Sequence, residues 1–243
     1  MLTAAGLLDV WERGAHGTPA ERGQLLACAA RPDLHPDVVG TMTLGQRNRA
    51  LFELRSRVFG PVLEAAVRCP RCTAAIEFQL RASDLAATAG SATETVWHRL
   101  VVGDYDIMFR VLTTTDLSSA ARAGTRGEVR HELLARSIGS VASGDTAVAL
   151  DDLPPDVVEA IGDAIIETDP GVEAAIGLDC PACSHAWSLP LDIASYLWTE
   201  IVSEAERLLF EIHSLARAYG WREGDVLALS AVRRKAYLDM AAS

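Results

Sequence analysis

Two stretches, VLEAAVRCPRCTAAIEFQL at residues 62–80 and EAAIGLDCPACSHAWSLPL at residues 173–191, share one frame, and that frame decides the fold. Each centres on Cys-Pro-x-Cys, at Cys69 and Cys72 in the first copy and at Cys180 and Cys183 in the second. Stepping back two, four and six residues from the leading cysteine gives Val67, Ala65 and Leu63, then Leu178, Ile176 and Ala174. Stepping forward four, six and eight from the closing cysteine gives Ile76, Phe78 and Leu80, then Trp187, Leu189 and Leu191. All twelve are apolar, and a period of two puts each set on one face of an extended strand. Each copy therefore reads as strand, knuckle, strand.

A Cys-x-x-Cys knuckle aims two sulfurs at one point, whereas a tetrahedral zinc needs four. One knuckle supplies half a site. Two matching knuckles docked face to face, with their apolar strand faces covering each other, complete it. The expectation is one structural Zn2+ held by Cys69, Cys72, Cys180 and Cys183. The 107 residues between the pairs far exceed the ~15–20 of a compact ribbon, so the duplicated flanks carry the argument rather than the spacing. A thioredoxin-like dithiol would use Cys-x-x-Cys ahead of a helix, whereas strands follow here. Zinc deaminases set Pro before the cysteine pair and carry His-x-Glu, but this chain has Pro within the pair and His131 adjacent to Glu132. His185 reads as solvent-facing beside four thiolates, and Cys28, within LLACAA, as a small core residue.

Outside the knuckles the chain is ordinary for a folded protein. Its 243 residues are 49% hydrophobic and 23% charged, too apolar for disorder and long enough for a sizeable core. A net charge of −11 repels phosphate backbones and anionic lipid, so nucleic acid and membrane are poor partners. No apolar run approaches the ~18 residues of a membrane span, and no basic segment precedes the short apolar run at the start, so a cytoplasmic protein is expected. No G-x-S-x-G, Walker loop, G-x-G-x-x-G after a strand, or H-E-x-x-H occurs, so no enzyme is expected.

The organisation reads as α+β in three parts. Residues 1–61 are mainly helical, with capping boxes at Thr18 and Thr43 opening helices that end near Pro32 and at Gly60-Pro61. The second of these carries Arg47, Arg49, Arg55 and Arg57 against Glu53 alone, read as a solvated basic face. Residues 62–191 hold the zinc ribbon, at 62–80 and 174–191, around an α+β insert at 81–173. Within that insert RASDLAATAGSATE reads as a loop with one turn of helix at its start, and ETVWHRLVV and YDIMFRVL as a hairpin about Gly103-Asp104. Three helices follow: one capped by Asp116, one over about 127–138 with GSVASGD as its exit loop, and one opened by Pro154-Pro155. Residues 192–243 begin with an amphipathic helix of roughly 27 residues, suited to a lever or docking arm, that stacks Leu197, Ile201, Leu208, Ile212, Leu215 and Tyr219. A corner of two short helices pinned by Trp221 and Tyr237 ends the chain.

CPACSHAWSLPLDIASYLWTEI and RLLFEIHSLARAYGWREGDVLALSAVRRKAYLDM resemble the tail of the T-even-phage baseplate protein family. The most specific pieces are Leu-Ala-x-x-Tyr-Gly-Trp at Leu215 to Trp221, Leu-Ala-Leu-Ser and Arg-Arg-x-x-Tyr-Leu within Leu227 to Leu238, and Asp169-Pro170 leading into the second knuckle. The likeness extends over about residues 165–243. Members of that family are hub components or hub-assembly factors of contractile tails and related contractile injection systems. The resemblance implies a non-enzymatic baseplate or assembly-chaperone role among other baseplate and hub proteins, with no small-molecule substrate. Its partner contacts would be Tyr219, Trp221, Arg233, Arg234 and Tyr237. A zinc-ribbon nucleic-acid binder, favoured by the basic segment, and a dithiol redox protein are the competing readings.

Overall fold

The computed structural model describes residues 2–88 and 96–242. The second half of RASDLAATAGSATE and the first residues of ETVWHRLVV lie outside the described residues. Four helices come first: α1 Ala4–Gly14, α2 Pro19–Ala30, α3 Pro36–Thr41 and α4 Leu44–Phe59. Thr18 and Thr43 cap α2 and α4, each hydroxyl accepting the N–H three residues on while Glu21 or Gln46 reaches back to the cap's own N–H. Strands β1 Val62–Arg68 and β2 Ala75–Arg81 form one antiparallel pair, and β7 Ala174–Asp179 and β8 Ala186–Leu191 another. Their registers set Leu63 against Leu80, Ala65 against Phe78 and Val67 against Ile76, then Ala174 against Leu191, Ile176 against Leu189 and Leu178 against Trp187. The twelve apolar positions read from the sequence are thus cross-strand partners, each buried or half-buried between exposed neighbours. The two hairpins remain separate two-stranded sheets.

The insert is richer than a hairpin with three helices. It holds α5 Ala82–Thr88, β3 His98–Val102, β4 Tyr105–Phe109, α6 Thr114–Ala120, α7 Arg126–Ser137, β5 Ile138–Ser143, β6 Thr146–Ala147 and α8 Pro155–Thr168. The four strands form one antiparallel sheet in sequence order. Residues expected as the exit loop of α7 are β5, because β4 offers it an unpaired edge and Val141, opposite Ile107, fills the core beneath. The cap of α6 is Thr113, not Asp116, which instead occupies the third helical position and completes a capping box. The sheet packs with α7 and α8 around Ile107, Phe109, Leu134, Val141, Val157, Ile161 and Ile165.

The last segment is α9 Ile193–Tyr219, α10 Glu223–Leu227 and α11 Ala231–Ala241. Asp192 caps α9 by accepting from the N–H groups of Ala194 and Ser195, and Gly220 ends it in the left-handed conformation at φ 69°. Far from a free docking arm, α9 is the spine of the larger core. Leu197, Ile201, Leu208, Ile212 and Leu215 are buried with Leu7 and Leu8 of α1, Leu26 of α2, Leu51 and Phe52 of α4, and Val226 of α10. A helix with so wide an apolar stripe gains more by burying it within its own chain than by holding it in water. Among the described residues no helix is long and apolar enough to cross a membrane.

The basic face on α4 is also corrected, since Arg47 and Arg55 are buried while Arg49 and Arg57 are exposed. Arg47, Leu51 and Arg55 recur every four residues and so share the inward side of the helix.

The helical block and the insert meet at a short seam. Leu44 N–H donates to the Leu112 carbonyl, Thr114 N–H to that of Met42, and the Thr115 hydroxyl to that of Gly40. Beside the seam, Arg110 grips Asp116 in a fork, with Nη1 to Oδ2 at 2.6 Å and Nη2 to Oδ1 at 3.0 Å. Burial pushes the Asp116 carboxyl up, but Arg110 and the Thr113 N–H and hydroxyl outweigh it and hold it below the ordinary carboxylate value. Because the folded value lies below the unfolded one, this group adds stability at neutral pH, and the contribution is lost as pH falls from about 4 through the folded value. Asp116→Asn should cost about 2–3 kcal/mol in urea unfolding at pH 7, and its stability should fall less steeply than the parent's below about pH 4.

Candidate metal centre

The two knuckles repeat each other bond for bond. β1 delivers Cys69, whose N–H donates to the Ala74 carbonyl at 2.9 Å while its carbonyl accepts Thr73 N–H at 2.9 Å. β7 delivers Cys180, whose N–H donates to the His185 carbonyl at 2.9 Å while its carbonyl accepts Ser184 N–H at 2.8 Å. Thr73 and Ser184, each one residue past the closing cysteine, are left-handed at φ 60° and 54°. A non-glycine residue there is uncommon, and its recurrence at equivalent places is a demand of the turn that brings both sulfurs to one side.

The tips of the hairpins converge. All four sulfurs lie within 4.8 Å of one another, with Cys69 Sγ 3.7 Å from Cys183 Sγ and Cys72 Sγ 3.5 Å from Cys180 Sγ. The short contacts cross between knuckles. Four thiolates around a zinc at ~2.3 Å stand ~3.8 Å apart along each edge of the tetrahedron, so the set has the dimensions of a metal site. A disulfide needs about 2.05 Å, and all four thiols are free. The leading cysteines, Cys69 and Cys180, are buried, Cys183 is half-buried and Cys72 exposed, so the centre sits at the surface with its open side on the closing cysteines.

The thiols also perturb one another. Burial pushes the Cys69 thiol up, but the N–H groups of Cys72 and Arg71 and the neighbouring Cys180 and Cys72 thiols bring it down to about 7. The His185 N–H lowers the Cys183 thiol, but burial and the Cys72, Cys180 and Cys69 sulfurs push it up to about 12. Four thiolates packed this closely would repel one another, and a divalent cation would relieve the cost of that charge. His185 is not solvent-facing: it is half-buried, its ring stacked on Trp187 at 5.9 Å.

Helix α4 aligns the two half-sites. At its C-terminal end Arg55 grips Glu200 of α9, with Nη2 to Oε1 at 2.7 Å, and its Nη1 donates to the carbonyls of Gly60 and Val62, where β1 begins. At its N-terminal end Gly45 N–H donates to Asp169 Oδ2 at 2.8 Å, and Asn48 Nδ2 donates to the Gly171 carbonyl at 2.9 Å and to that of Val172. Those residues form the turn that enters β7. One helix thus holds the roots of both hairpins. The sequence named Arg55 only on a solvated face and Asp169 only in the run into the second knuckle, and left Asn48 unread, although polar residues on the same face as Leu51 and Phe52 were the available sign for Asn48 and Arg55.

The residues expected to contact partners gather at the other end of α9. Tyr219, Trp221 and Tyr237 form a ring cluster with centroids 4.8, 5.9 and 4.9 Å apart, and Tyr219 hydroxyl donates to the Tyr237 carbonyl at 3.2 Å. Arg233 is exposed. Arg234 is buried, its Nε donating to Glu211 Oε2 at 2.8 Å and its Nη1 to the Leu229 carbonyl at 2.7 Å, so its charge is engaged inside the chain.

Gly45 has no room for a side chain, because a Cβ there would lie 2.0 Å from Asp169 Oδ1. Gly45→Ala should therefore cost about 2–3 kcal/mol, and far less in an Asp169→Ala background, a non-additivity that a double-mutant cycle measured by urea unfolding would detect.

No curated protein and no solved structure matches the chain. A family model described as T4 bacteriophage base plate protein matches residues 27–197. That span begins within α2, covers both knuckles and the whole insert, and ends in the first turns of α9. It overlaps the resemblance read from the sequence only over about 165–197 and leaves the aromatic corner outside. Because it takes in most of the 243 residues, the chain belongs to the T4 bacteriophage base plate protein family.

Proposed function

We propose that the protein is a non-enzymatic component or assembly factor of the hub region of a contractile, phage-tail-like baseplate, and that one zinc ion held by Cys69, Cys72, Cys180 and Cys183 joins its two hairpins into a ribbon. The observation that carries the reading is family membership across a span that includes all four cysteines. Four soft thiolates suit zinc, and a full set of protein ligands leaves no position for a reacting water, which favours a structural over a catalytic ion. In small zinc peptides such a site contributes on the order of 10 kcal/mol of folding free energy, enough to close the 107-residue loop between the knuckles.

The partners are other baseplate and hub proteins, met in the cytoplasm of the producing cell, with the C-terminal corner as a contact surface. Val232 and Met240 of α11 and Phe210 of α9 are exposed apolar side chains on the same segment. A chaperone-like role, in which the protein leaves before the particle is complete, is the finer form of the reading. The nucleic-acid alternative loses its main support, since Arg47 and Arg55 point into the protein and Arg57 donates to the Ala30 and Glu53 carbonyls.

Two sets of measurements test the proposal, one for each half. Metal analysis of the purified chain should find one zinc per molecule, lost in a Cys→Ser variant at any of the four knuckle positions and retained in Cys28→Ser. A strong chelator should lower the melting temperature by many degrees. Affinity capture from producing cells should recover baseplate proteins, and the presence or absence of the chain in purified particles separates building block from chaperone. A zinc-free chain with unchanged melting and four readily titrated knuckle thiols would overturn the metal half of the reading. Capture without any baseplate protein would overturn the other half.

A further inference from the structure

One buried arginine lacks a carboxylate. Arg55, Arg110 and Arg234 each meet an acid, whereas Arg47, 7% exposed, forms no ion pair among the described residues. Its Nε and Nη2 both donate to Asn48 Oδ1, at 3.1 and 2.8 Å, and Nη1 has no hydrogen-bond partner among the described residues. A desolvated, unpaired guanidinium costs stability, and burial holds its pKa below the ordinary arginine value against weak support from Asp192. Packing alone would favour an apolar residue here. Within the chain Arg47 orients the Asn48 amide through Nε and Nη2, and the remaining Nη1 calls for a further reason.

The reason lies in what Arg47 faces. It lines a cleft of about 660 Å³ between α2, α4, α6, α7 and the base of the β7–β8 hairpin, within the usual range of ligand pockets. The base is the far end of that hairpin from Cys180 and Cys183, so this site stands whether or not a metal binds there. Asp169 Oδ1 is the one fully enclosed side-chain polar atom without a partner among the described residues, so Nη1 retains access to the cleft. The walls are apolar, with Leu44, Leu117, Val129 and Leu191 among them. The other charged groups on the lining, Glu173 and Asp192, are exposed, and the Asp192 carboxylate is already held by Ala194 N–H, Ser195 N–H and the Ser195 hydroxyl.

We infer that the cleft receives the C-terminal end of a partner polypeptide whose last residue is apolar, with Arg47 binding the terminal carboxylate. Asn48 takes one N–H from Nε and one from Nη2, which leaves the Nη1–Nη2 edge for a two-pronged bond to a carboxylate. The acidic rim repels a second negative charge, which argues against phosphate and against nucleic acid. The apolar walls take up the terminal side chain.

The test uses the full chain and a fluorescein-labelled tetrapeptide, Ala-Ala-Val-Leu, as free acid and as C-terminal amide, with binding read by fluorescence polarisation. The acid should bind at least ~10-fold tighter than the amide, the scale of a lost charge-assisted pair. Arg47→Met should abolish the difference. Ala121→Phe, which fills the cleft from the residue that ends α6, should lose both peptides, and it decides the matter should Arg47→Met fail to fold. Equal binding of acid and amide, binding of neither at millimolar concentration, an unaffected Ala121→Phe, or displacement of the acid by inorganic phosphate would each overturn the inference.

Discussion

The constraint on which the rest of the molecule depends is that two cysteine pairs 107 residues apart must bring their four sulfurs within 4.8 Å of one another. Neither hairpin can achieve this alone, since a two-stranded ribbon is only marginally stable by itself. The chain solves the problem with α4. Its last turn fixes the start of β1 through Arg55, and its first turn fixes the turn before β7 through Gly45 and Asn48. A 16-residue helix is about 24 Å long, so it works as a stiff spacer between the two roots. The sulfurs then meet at the tips as a consequence of where the hairpins begin.

This arrangement explains where the protein places its buried charge. Arg55 with Glu200 ties α4 to α9, Arg234 with Glu211 ties α11 to α9, and Arg110 with Asp116 braces the seam between helical block and insert. Each pair links elements rather than ornamenting one, and each arginine also satisfies a backbone carbonyl. Desolvated pairs of this kind contribute little net stability but penalise wrong dockings heavily, because a misplaced element leaves a charge unmet. Membership in a baseplate family gives that precision a use, since a protein that must fit among others needs its surfaces held in one relative orientation.

Much of this was legible in the chain. The capping boxes at Thr18 and Thr43, the strand faces flanking the cysteines, the Gly103 turn and the 27-residue helix ended by Gly220 stand where their local signals put them. The four cysteines were legible as a set because their flanks repeat. The unread parts share one physical cause. Ile138–Ser143 has too little alternation to announce a strand and becomes one because β4 offers it an edge. The amphipathic stripe of α9 suits an inward spine as well as an outward arm, and only the presence of α1, α2 and α4 against it selects the first.

The sequence by itself determined most of the elements and the grouping of the four cysteines, because caps, periodicity and a duplicated Cys-x-x-Cys frame act over a few residues and need no partner. Tertiary structure alone decided that Arg47 and Arg55 face inward, that Asp169 closes onto Gly45, and that the two terminal helical segments share one core. Those outcomes depend on which surfaces, far apart along the chain, come to exclude water between them. Such a choice is a property of the assembled fold, and no window of neighbouring residues contains it.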